Sequence, residues 1–129
     1  MQTLAFIIYI ITFISKRIKY LCQGGFSMNN TSSVNILLAT YNGEKYIKKQ
    51  LDSLLSQTYP NITIYIRDDG SKDNTMNILK DYIAKNTSSK KILLLENGGT
   101  NLGCPMSFYQ ILKECASADY YAFCDQDDI

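Results

Sequence analysis

From residue 34 onward the chain alternates short apolar runs with longer amphipathic stretches. Residues 34–39 (VNILLA) form an apolar run of strand length that ends at the turn formers Thr40, Tyr41, Asn42 and Gly43. From Glu44, the residues Tyr46, Ile47, Leu51, Leu54 and Leu55 share one helical face, with Lys45, Lys48, Lys49 and Asp52 opposite. Pro60 biases Tyr59 away from the helical region, so this helix is predicted to stop near Thr58. Residues 62–66 (ITIYI) are β-branched and aromatic and predict a second strand, closed by Arg67, Asp68, Asp69, Gly70 and Ser71. Asp73 or Ser71 can cap a helix from Asn74, with Met76, Ile78, Leu79, Tyr82 and Ile83 inward, broken at Asn86 to Ser89. Residues 91–96 (KILLLE) predict a third strand, and residues 97–103 (NGGTNLG) a glycine-rich loop. Pro105 suits the first turn of a third helix that points Met106, Tyr109, Ile111, Leu112 and Cys115 inward. A fourth strand, residues 120–124 (YYAFC), runs into Asp125, Gln126, Asp127 and Asp128.

Strands and helices thus alternate from end to end. Apolar strands without strict alternation are buried on both faces, and right-handed crossovers between them give a parallel sheet in a three-layer α/β sandwich. Residues 1–30 stand apart as a hydrophobic extension and linker, and residues 31–129 form the domain. In the extension, residues 4–14 (LAFIIYIITFI) are too short to span a bilayer, which needs about 20 apolar residues. Lys16, Arg17 and Lys19 follow the apolar run, where a signal peptide would place its charges before it. If the run entered a membrane, these charges would keep the domain on the cytoplasmic side. Met28 lies in a Gly/Ser/Asn linker just before the first strand, so residues 1–27 read as an over-extended reading frame or non-essential extension rather than a membrane anchor, and are expected to be dispensable for the fold.

Composition narrows the chemistry. The chain has 129 residues with no histidine and no tryptophan, which excludes a Ser/His/Asp triad, a Cys/His dyad and an imidazole-ligated zinc site. A net charge of +1 removes the electrostatic case for nucleic-acid binding. Cys22, Cys104, Cys115 and Cys124 form no C-x-x-C pair and are expected to be reduced, mostly buried thiols of a cytoplasmic protein. Asp119, Asp125, Asp127 and Asp128 crowd the last eleven residues without a base among them, a cluster that is either solvated or suited to a cation.

In open parallel sheets, ligands bind outside the carboxyl ends of the strands. Four polar groups converge there: Thr40, Tyr41 and Asn42; Asp68 and Asp69; Asn101 and Gly103; and Asp125, Asp127 and Asp128. Each alone also reads as an ordinary turn, and an Asp-Gly-Ser turn often simply caps a helix. Together they suggest a nucleotide site. A tyrosine at a strand end offers a face for a base, and an aspartate can accept from a base N–H or a ribose hydroxyl. Asp125 and Asp127, two apart on a strand, project to the same side and can share a divalent cation, Mg²⁺ or Mn²⁺, which would neutralise a diphosphate. Neither a G-x-x-x-x-G-K-[ST] loop nor a G-x-G-x-x-G turn is present to do so.

The string ILLATYNGEKYIKKQLDSLLSQTYPNITIYIRDDGSKDNT, followed by NLG and FCDQDDI, resembles the nucleotide-sugar-binding half of glycosyltransferase family 2, over about residues 33–129. The resemblance implies the GT-A fold, with a mainly parallel, Rossmann-like sheet truncated here after its fourth strand. It implies an inverting hexosyltransferase, a nucleotide-diphosphate sugar as donor and a saccharide or lipid-linked saccharide as acceptor. The FCDQDD form is most similar to bacterial rhamnosyltransferase-like enzymes of cell-surface polysaccharide synthesis, which makes dTDP-rhamnose a candidate donor. Carried over, the base-contacting loop falls on Thr40, Tyr41 and Asn42, the uracil- or thymine-contacting aspartate on Asp69 with Asp68 beside it, and the nucleotide-bordering loop on Asn101 and Gly103. The DxD metal motif falls on Asp125 and Asp127, with Asp128 behind them.

Family members continue well past this motif and supply the acceptor site and a catalytic base. The chain is therefore expected to be a fragment or a truncated reading frame, with its catalytic base beyond Ile129. The competing expectation is a non-catalytic nucleotide-binding or partner-binding remnant. A receiver-like domain fits poorly, because its acid pair belongs after the first strand, where TYNG stands.

Overall fold

The computed structural model describes residues 31–96 and 99–125. The expectations for residues 1–30, and for Asp127 and Asp128, lie outside this range. The elements are β1 (Val34–Thr40), α1 (Ile47–Leu55), β2 (Ile62–Asp68), α2 (Thr75–Lys85), β3 (Lys91–Leu94), α3 (Met106–Glu114) and β4 (Tyr120–Asp125). The strands pair in parallel in the order β3-β2-β1-β4. This is the expected α/β sheet, and all seven residues of its central strand β1 are buried.

Side chains of successive strand residues point to opposite faces, and the two faces fill two cores. Ile36 and Leu38 of β1, with Ile64 and Ile66 of β2, meet Ile47, Leu51, Leu54 and Leu79 from α1 and α2. Leu37 and Ala39, with Tyr65, meet Ile111, Phe108 and Leu112 of α3. The result is three layers, with two helices on one side and one on the other. The same alternation sends Thr40 and Asp68 toward the α1–α2 side, and Arg67, Asp69 and Asp125 toward α3.

Four expectations need correcting. The helix predicted from Glu44 starts at Ile47, because residues 43–46 form a turn in which Gly43 O accepts from the N–H groups of Tyr46 and Ile47. It stops at Leu55 rather than near Thr58. Lys90 Nζ donates to the carbonyls of Leu55 (3.1 Å) and Gln57 (2.7 Å), capping this end from a distant segment. The third strand ends at Leu94 instead of residue 96, although Leu95 N–H still donates to Ile66 O at 2.8 Å. The third helix begins after Pro105, and of its predicted face Ile111, Leu112 and Cys115 pack inward but Met106 and Tyr109 do not. Ser107 and Ile111 are buried, whereas Met106 and Tyr109 are 51% and 54% exposed.

Neither residue offered as a cap for α2 stands at its N-cap, which is Asn74 and makes no side-chain cap bond; Asp73 braces the turn before it, its Oδ1 accepting from the N–H (3.0 Å) and the hydroxyl (2.5 Å) of Thr75. Asp119 leaves the acidic cluster altogether. It precedes β4, at the opposite end of the strand from Asp125, and accepts from Ser33 N–H (2.7 Å) and Oγ (2.9 Å). Of the three cysteines described, none is in a disulfide: Cys124 is buried and Cys115 half-buried, but Cys104 is exposed, against expectation. No helix among the described residues is long and apolar enough to cross a membrane.

Candidate functional site

The register aligns the carboxyl ends of three strands: Thr40 pairs with Asp68 on one side, and Ala39 with Asp125 on the other. Beyond β1 and β2 the two loops are stitched together. Thr40 Oγ1 donates to Asp68 Oδ1 (2.9 Å), as does Ser71 Oγ (2.5 Å), while Ser71 N–H donates to Asp68 Oδ2 (2.9 Å). Asn42 takes a left-handed conformation at φ 48°, which asparagine tolerates better than most residues. There its N–H donates to Ser71 Oγ (2.8 Å) and its Oδ1 accepts from Lys72 N–H (2.8 Å). Gly43 N–H donates to Thr75 Oγ1 at 2.8 Å and Glu44 N–H to Asp73 Oδ2 at 3.1 Å. The side chains of Asp68 and Asn42 are thus engaged in the scaffold.

On the other face stands a buried ion pair that sequence reasoning missed. Arg67 is 2% exposed and its Nη1 pairs with Asp69, itself 5% exposed. Nη1 also donates to Ser107 Oγ of α3 (3.0 Å), and Nη2 donates to Thr100 O (2.9 Å). Asp69 accepts in addition from Leu102 N–H at Oδ1 and Gly103 N–H at Oδ2, both 2.8 Å. Burial pushes the Asp69 carboxyl upward, but these backbone donors and the guanidinium outweigh it and hold it below the ordinary carboxylate value. The Asp69 carboxylate therefore stays charged and ties the 99–103 loop to the end of β2. The signal in the sequence was an arginine continuing a buried strand run, which demands a counter-charge nearby.

A pocket opens at these strand ends, lined by Ala39, Thr40, Tyr41, Asp69, Cys104, Ser107, Phe108 and Asp125. The structure gathers Thr40, Tyr41, Asp69 and Asp125 around it. Asn42 and Asp68 stand behind, Gly103 reaches it through Asp69, and Asn101 is exposed on the loop without lining it. Cys104, Ser107 and Phe108 are lining residues that sequence reasoning missed. Phe108 is held edge-on against Phe123, with centroids 5.5 Å apart. Tyr41 is 45% exposed, so its ring is accessible to a flat ligand. Among the described residues, no group of three or more His, Cys, Asp or Glu can hold a metal ion. Asp125 is an exposed carboxylate at the pocket, the donor type that hard divalent cations take.

Comparison with known proteins gives the family and the fold. The sequence profile of Glycosyl transferase family 2 matches residues 35–129. The dTDP-rhamnosyl transferase RfbG of Shigella flexneri is 40% identical over 94 residues, covering 71% of this chain and 32% of RfbG. Among solved structures, S. aureus TarS 1-349 in complex with UDP-GlcNAc superposes with a TM-score of 0.59 at 34% identity, covering 74% of this chain and 26% of that one. The mannosyltransferase PcManGT of Pyrobaculum calidifontis, solved with GDP-Man and Mn²⁺, gives a TM-score of 0.67 at 21% identity, over 80% of this chain and 30% of that one, and supports the fold. The chain spans about a third of the length of such relatives.

Proposed function

Because this chain belongs to glycosyltransferase family 2, we propose that its pocket binds the nucleotide-diphosphate sugar donor of an inverting glycosyltransferase that builds bacterial cell-surface polysaccharide. One observation carries the reading. The pocket lies outside the carboxyl ends of parallel strands, beside the β1–β4 pair where the strand order reverses, and Tyr41, Asp69 and Asp125 converge there. TarS, similar over this region, was solved with UDP-GlcNAc, and RfbG carries the name of a dTDP-rhamnosyl transferase. Both support a uracil or thymine nucleotide as the donor's base, and the name of RfbG supports dTDP-rhamnose as the candidate donor.

Within this reading each group has a task. Tyr41 stacks on the base. A carboxylate has about four acceptor positions, and Arg67, Leu102 and Gly103 fill three of those on Asp69. The one left on Oδ2 suits the single imide N–H of uracil or thymine. Asp125, with Asp127 and Asp128 after it, would hold a divalent cation, which supplies charge neutralisation for the diphosphate leaving group. Asn42, Asp68 and the 99–103 loop keep the pocket walls in place. The acceptor is a saccharide or lipid-linked saccharide, and the enzyme works in the cytoplasm, where Lys16, Arg17 and Lys19 favour an anionic membrane face.

Calorimetric titration of the full chain with UDP and dTDP, in Mn²⁺ and in chelator, tests this. The reading expects binding with metal that weakens at least about tenfold in chelator, since a diphosphate would otherwise face carboxylates of like charge. Equal affinity in both conditions refutes the cation role. No binding of either nucleotide at millimolar concentration refutes the donor site.

A further inference from the structure

We propose that Arg67 is a positioning residue for this pocket: from within β2 it sets the conformation of the 99–103 loop and of Asp69, and thereby the affinity for a nucleoside diphosphate. The inference rests on the nucleotide reading above, and one arm of its experiment is independent of it.

A guanidinium in a buried strand is costly unless its N–H groups are met, and apolar residues of similar size would hold the sheet at least as well. Stability of the strand therefore does not explain it. Its partners do. They come from three separate segments: Asp69 at the end of β2, Ser107 Oγ on α3 at 3.0 Å, and the Thr100 carbonyl in the loop at 2.9 Å. Asp69 and Ser107 both line the pocket. The contacts close a circuit: Arg67 holds Asp69, Asp69 accepts from Leu102 and Gly103, and two residues earlier in that loop Thr100 O accepts from Arg67. Nε of Arg67 is buried without a hydrogen-bond partner among the described residues, so the side chain is aimed by its two terminal nitrogens.

The loop also presses on the turn after β2. A Cβ placed on Gly70 would meet Gly99 O at 2.7 Å, so the loop has little room to find another seat there. Only a planar fork can reach all three acceptors at once. A lysine supplies the same charge from a single point and would keep Asp69 at the expense of Ser107 or Thr100.

The test uses the full chain as wild type, Arg67→Lys and Arg67→Met. It reads amide exchange by NMR without nucleotide and UDP affinity by calorimetry with Mn²⁺. Arg67→Lys keeps the charge opposite Asp69, so it decides the matter even if Arg67→Met does not fold. The expected result is that exchange at Leu102 and Gly103 quickens about tenfold or more in Arg67→Lys, with the β1–β2 ladder amides nearly unchanged, and that UDP binds about tenfold more weakly. Native exchange and native affinity in Arg67→Lys would reduce Arg67 to a counter-charge and overturn the proposal. Uniform acceleration across the ladder would make it a determinant of sheet stability, and also overturns it. A deprotected loop with unchanged UDP affinity would sever the loop from binding. If the wild type itself ignores UDP, the nucleotide reading falls, and the exchange arm alone decides whether Arg67 organises the loop.

Discussion

Replacing Asp69 by alanine strikes the pocket at a buried ion pair without touching the hydrophobic core. The substitution removes the counter-charge of Arg67 and the acceptor of the Leu102 and Gly103 amides in one step. Both charged side chains are almost wholly buried, so solvent cannot take over the lost contacts. Breaking a buried pair by deleting one partner costs about 3–5 kcal/mol. Against a stability of about 5–15 kcal/mol for a domain, that is a large share of the total. The exposed bond from Tyr82 Oη to Asp52 Oδ1, at 2.5 Å, gives the comparison: Asp52→Ala should cost about 0.5–1.5 kcal/mol. Urea unfolding followed by far-ultraviolet circular dichroism at neutral pH measures both, because the chain has no tryptophan to report by fluorescence. A loss below about 1 kcal/mol for Asp69→Ala, or one no larger than that of Asp52→Ala, would refute the reasoning that the pair is buried and interlocked.

Two further outcomes are read by the same urea assay. Gly70 sits at φ +84° and a Cβ there would meet Gly99 O at 2.7 Å, so Gly70→Ala should destabilise by about 2 kcal/mol or more in the same urea assay, and a neutral or stabilising result would contradict the packing of loop on turn. Asp69 and Asp73 are lifted by burial but lowered further by their hydrogen bonds, and Asp119 is lowered by Ser33; all lie below the ordinary 3.8. A depressed folded pKa gives stability that is complete above the unfolded value and is lost as pH falls through the folded one. Urea midpoints should therefore hold steady down to about pH 5 and drop below about pH 4, with Asp69→Asn blunting the drop, whereas rising stability on acidification would reverse the sign.

The sheet was legible because its strands are apolar runs bounded by turn residues, and the structure keeps all four, with β3 two residues shorter than predicted. On the third helix Ile111, Leu112 and Cys115 face the core as the pattern predicts, but the first turns differ. Met106 and Tyr109 are apolar enough to suggest the same face, but Ser107 is the residue buried there, bonded to Arg67, and Met106 and Tyr109 point outward. A polar residue buried for a hydrogen bond leaves no mark in a hydrophobicity pattern. The helix that stops at Leu55 was misjudged for a related reason, since Lys90 caps it from 35 residues away. At the site, position along the strands was readable: Thr40, Tyr41, Asp69 and Asp125 meet at one pocket. What each carboxylate faces was not. Adjacent in sequence, Asp68 and Asp69 point to opposite sides of the sheet, one toward Thr40 and Ser71, the other toward Arg67 and the 99–103 loop. Period-two alternation assigns the side of each, but only the folded chain shows which loop waits there.

The central claim is that a nucleoside diphosphate sits at the carboxyl ends of β1, β2 and β4. Amide chemical-shift mapping of the full chain with UDP and Mg²⁺ tests it most directly. The account predicts saturable shifts at Thr40, Tyr41, Asp69, Ser107 and Asp125, and none at Ser33, Asn61 and Asp119 at the other end of the strands. Shifts confined to that other end, or no shifts at millimolar UDP, would contradict it.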